Sequence, residues 1–99
     1  SKVMRIAHDY YLWKVNEQSA ETLYQHLKDI ESIVQNYSLR LRLGGASTSI
    51  VIDKGQLLLQ VAFDKHVPDK GGVVRDLANE IKNRIPELKP LDFRIWIKT

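Results

Sequence analysis

The sequence predicts an α+β fold: a two-layer sandwich in the order β-α-β-β-β-α-β, with both helices packed on one face of a mainly antiparallel sheet. Three observations carry this expectation. Residues 17–35 and 71–85 repeat apolar side chains at three- and four-residue steps, as helices with one buried stripe do. The runs between and after them alternate apolar and polar residues with period two. Gly and Pro fall at the ends of these runs as punctuation. A helix with a single apolar stripe must bury it, and a sheet with one apolar face offers the natural partner.

The elements follow in order. Residues 3–15 favour a strand, because aromatic and β-branched residues are dense, with a change of phase near Asp9-Tyr10, while a helix through Val3, Ile6, Tyr10 and Trp13 also fits the period. A helix over 17–35 is expected from the stripe Ala20, Leu23, Leu27, Ile30 and Val34, with Asn16 as its cap and Asn36 as its stop. Leu39, Leu41 and Leu43 alternate with Arg40 and Arg42, which reads as a half-buried strand turned by Gly44-Gly45. Ile50 and Ile52 begin a hairpin closed by Lys54-Gly55 and completed by Leu57, Leu59, Val61 and Phe63. Asp69 caps a second helix, over 71–85, whose stripe is Val74, Leu77, Ala78, Ile81 and Ile85 and which Pro86 ends. Phe93, Ile95 and Ile97 face inward on a last strand, leaving Arg94, Trp96 and Lys98 outward.

Composition bounds the rest. With 99 residues, 43% apolar and 27% charged, the chain is expected to form one domain with its own core. The absence of Cys excludes disulfides, thiolate metal sites and a Cys nucleophile. No run approaches a membrane span and no secretory signal pattern is present, so the expected setting is cytoplasmic, without a membrane partner. The net charge of +3 is uneven: residues 1–36 hold four basic and five acidic groups, residues 37–99 eleven and seven.

Chemical motifs are sparse. His8, His26 and His66 share no metal-ligand spacing, so no metal site is expected. Ser47-Thr48-Ser49 has no adjacent sequence signal for a base, and no carboxylate pair stands out, so no catalytic residue and no cofactor are assigned. Lys70-Gly71-Gly72 lacks the spacing of a nucleotide loop and reads as punctuation. A double-stranded-RNA-binding domain would need a basic cluster there, and the stretch through Arg75 supplies only two separated cations.

Alternation then defines the sheet face that two helices on one side would leave open: Arg40, Arg42, Val51, Leu58, Gln60, Ala62, Arg94, Trp96 and Lys98. From it, a non-catalytic interaction module is expected, binding a protein partner or itself as a homodimer. The partner-binding residues would be Arg40, Arg42, Arg94, Trp96 and Lys98, with Trp96 the apolar anchor and the cations an orienting rim. The alternative is DNA or RNA, with the cations on phosphates and Trp96 stacked on a base. A small enzyme is the third reading.

Overall fold

The structure is a computed structural model that describes residues 16–98. The strand expected over 3–15 lies outside the described residues. The described elements are the helical residues 16–25 (α1), α2 (Leu27–Leu41), β1 (Ala46–Asp53), β2 (Gln56–Phe63), α3 (Lys70–Arg84), a 3₁₀ turn (Pro86–Leu88) and β3 (Arg94–Lys98). The fold is α+β, as its sequence predicts, but the order differs at two places, the first helix and the strand expected after it.

The helix expected over 17–35 is two helices. His26 leaves helical geometry, with φ −107° and ψ 12°. Its N–H donates three residues back to the Leu23 carbonyl at 3.1 Å, and its own carbonyl accepts from the Ile30 N–H at 2.9 Å. The chain thus tightens for one residue and resumes as a new helix. That helix does not stop at Asn36. Its buried stripe continues through Ile30, Ile33, Val34, Tyr37 and Ser38, and burial of the last two carries it onward. It ends where Arg42 takes the left-handed conformation, φ 57° and ψ 45°. The Arg42 N–H donates to the Leu39 carbonyl, and the Leu43 N–H to the Ser38 carbonyl. These two bonds satisfy carbonyls the helix would otherwise leave open, in the pattern of a Schellman cap.

The strand expected over Leu39–Leu43 is therefore the last helical turn and its cap. Leu39 is 65% exposed and Leu41 48% exposed, so the leucine alternation that resembles a strand does not mark a buried face.

The hairpin is as expected. Lys54 (φ 50°) and Gly55 (φ 76°) both turn with positive φ, the geometry that matches the twist of the flanking strands, and glycine takes it without strain. β1 and β2 pair antiparallel with Ile50 opposite Leu59. β3 lies on the other side of β2 and runs parallel to it, with Leu59 opposite Ile95. The described sheet is therefore mixed rather than mainly antiparallel. Parallel neighbours cannot be joined by a tight turn, and α3 supplies the crossover. Asp69 caps α3 by accepting from the Gly72 N–H at 3.0 Å.

The core joins both layers. Ile30, Val34 and Tyr37 of α2 and Val73, Leu77 and Ile81 of α3 share one cluster with Leu57, Leu59, Val61, Ile95 and Ile97 of the sheet. Leu23 of α1 is buried in the same cluster. Each fully buried aliphatic side chain contributes about 1.5–3 kcal/mol relative to exposure.

Candidate interaction surface

Register sets out the outward face of the sheet. Residues paired across strands point the same way, so the rows Val51–Leu58–Arg94, Ser49–Gln60–Trp96 and Ser47–Ala62–Lys98 run from β1 through β2 to β3. Their partners in the other phase, Leu57, Leu59, Val61, Ile95 and Ile97, are all buried. Seven of the nine expected face residues therefore stand on it: Val51, Leu58, Gln60, Ala62, Arg94, Trp96 and Lys98. Trp96 sits in the middle row and is 49% exposed. Ser49 Oγ donates to Gln60 Oε1 at 3.3 Å, which ties the middle row together on the β1 side.

Arg40 and Arg42 are not on this face. Both belong to the end of α2, in the helical layer. Arg40 pairs with Glu80 of α3, and its guanidinium lies 5.6 Å from the centre of the Tyr37 ring. Tyr37 in turn donates its phenolic O–H to Asp76 Oδ2 at 3.0 Å. Burial, reinforced by that hydrogen bond and by the nearby Asp76 and Glu80 charges, pushes the Tyr37 phenol up from 10.0 to about 12. The four side chains bridge α2 to α3. The physical reason for the correction is periodicity: Tyr37 extends the 3.6-residue stripe one turn beyond Val34, and a helix does not place Arg40 and Arg42 on one side as a strand would.

The candidate partner-binding set is thereby reduced to Arg94, Trp96 and Lys98, all on β3. This strand is short, lies at the edge of the described sheet and alternates exposed with buried residues along its length. The Lys82 ammonium, 5.4 Å from the centre of the Phe93 ring, flanks its start. Sequence reasoning missed a second cationic site, where Lys65, His66, Lys70 and Lys98 line one pocket. Their meeting depends on the parallel pairing of β2 with β3, which has no local signal.

Among the described residues, no group of His, Asp or Glu is placed to hold a metal ion. No described helix is long and apolar enough to cross a membrane. No protein-family model, no curated protein and no solved structure matches the chain.

Proposed function

We propose that the chain is a non-catalytic interaction module that binds a protein partner through the outer face of its sheet. The observation that carries this reading is Trp96, half exposed in the middle row between the two cations of the same strand. A large amphipathic ring loses little conformational freedom on binding and buries much area, which is why Trp dominates interface hot spots. Leu58 and Val51 extend the apolar surface inward from Arg94. Arg94 and Lys98 would pair with carboxylates on the partner and set its orientation. The nine residues of the three rows tile only about 290 Å², from a strand spacing of about 4.8 Å and about 6.6 Å between same-face neighbours along a strand. A stable interface needs about 800 Å² on each side, so the partner must reach beyond the sheet.

The test uses a photo-crosslinking residue at Ala62, beside Lys98 on this face, to capture the partner. The affinity of the purified pair is then measured with the native chain and with Trp96→Ala. A loss of about 2 kcal/mol, about 30-fold, is expected. Full affinity in the variant removes Trp96 as the anchor. Capture of only a second copy, with a mass that falls on dilution, makes the surface a homodimer interface. Oligonucleotide binding that weakens with salt at a log–log slope of about −2, set by Arg94 and Lys98, moves the assignment to nucleic acid.

A further inference from the structure

Apart from the outer face, one pocket of about 200 Å³ gathers basic side chains from three separate parts of the chain. Lys65 and His66 come from the segment after β2, Lys70 from the first residue of α3, and Lys98 from the end of β3. Phe63 and Ile97 supply apolar wall, and among the described residues Asp64 is the one carboxylate in the lining. The topology explains the meeting. β2 and β3 are parallel, so their carboxyl ends share one edge of the sheet, and the crossover into α3 leaves from that same edge. Crevices outside the carboxyl ends of parallel strands are where open α/β sheets bind ligands.

The charge is poised for an anion. Three lysines and one aspartate line the pocket, a net of +2 from those four groups. The Asp64 carboxylate already accepts from the Gly45 N–H at 2.8 Å, which holds it toward the β1 side. Among the described residues, no hydrogen bond or ion pair engages the ammonium groups of Lys65, Lys70 or Lys98. The first turn of α3 is capped by Asp69, so the attraction comes from these side chains and not from the helix end. Like charges brought together without partners repel, and an anion relieves that repulsion.

We propose that this pocket binds the phosphate group of a small phosphate monoester. Such a group carries a charge of about −1.5 to −2 near neutral pH, which complements the lysines, and lysine serves as a point-charge phosphate binder. The site is separate from the outer face and shares only Lys98 with it.

The test is a ¹H–¹⁵N NMR titration of the full chain with glycerol phosphate, inorganic phosphate and a short oligothymidylate in parallel, at about physiological salt. Saturable shifts are expected at Lys65, His66, Lys70, Ile97 and Lys98. Lys65→Gln and Lys70→Gln should each weaken binding about threefold and together about tenfold, as exposed charge contacts do. Trp96→Ala should leave this binding unchanged, which separates failure here from failure of the outer-face reading. No saturable shift, or equal shifts at the remote Lys28, Lys54 and Lys89, overturns the proposal. Equal binding of inorganic phosphate and glycerol phosphate assigns the pocket to the phosphate group alone. Binding of the oligothymidylate without glycerol phosphate overturns the small-ester assignment in favour of a polynucleotide.

Discussion

Removing one oxygen at Tyr37 tests how α2 is fastened to α3. Tyr37 is only 5% exposed, and its O–H donates to Asp76 at 3.0 Å. Tyr37→Phe keeps the ring and deletes that bond. Because Asp76 is exposed, the bond lies at the low end of the range for charged acceptors, and the variant should lose about 1 kcal/mol near pH 8. The pH dependence is sharper. The folded phenol titrates at about 12 against 10.0 for the free group, so between those values the folded state holds a proton that the unfolded chain has released. Its contribution is therefore complete below pH 10 and is lost as pH rises toward 12. At about pH 11, one unit above the unfolded value, phenol ionisation has destabilised the native chain by about 1.4 kcal/mol, a loss that the variant, with no phenol to ionise, does not share. Urea melts followed by circular dichroism at about pH 8 and about pH 11 should show the difference between the two proteins closing to near zero. A difference that stays constant across that interval would refute the account, because the phenol would then titrate alike in both states.

Other substitutions probe the cap, the ion pair and the anchor. Gly44 has φ 81°, and a Cβ there would lie 2.9 Å from the Asp64 Cβ, so Gly44→Ala should cost about 1–3 kcal/mol in a denaturant melt. Arg40→Ala should cost less than about 1 kcal/mol, since its pair with Glu80 is 49% and 29% exposed and screened by water. Trp96→Ala should change stability by less than about 1 kcal/mol while lowering partner affinity, a split that a purely structural Trp would not give.

The parts of the fold legible in the sequence are those decided locally. Lys54-Gly55 between alternating runs specifies the hairpin without reference to anything distant, and Asp69 with Pro86 brackets α3 in the same way. Arg94, Trp96 and Lys98 were legible because strand alternation alone turns them outward. The stretch from Leu39 to Leu43 was not, because five residues satisfy period two and lie at the end of a 3.6-period stripe at the same time. What decides between them is Tyr37, whose hydroxyl reaches Asp76 on α3, and Ser38, fully buried beside the cap. Ser38 Oγ donates to the Gly44 carbonyl, a contact that exists only once the helix has run its full length. The lysine pocket is illegible for a related reason. Lys65 and Lys98 stand 33 positions apart, and only the direction of β3 brings them together.

The direction and composition of β3 also bear on how copies of the chain treat one another. Arg94-Ile95-Trp96-Ile97-Lys98 reads nearly the same in both directions. It borders the described sheet, and two such borders meeting head to tail about their tryptophans would set Arg94 of each against Lys98 of the other, cation facing cation. A five-residue border that repels its own reflection resists growth into stacked ribbons, yet it still admits a strand bearing carboxylates at alternate positions.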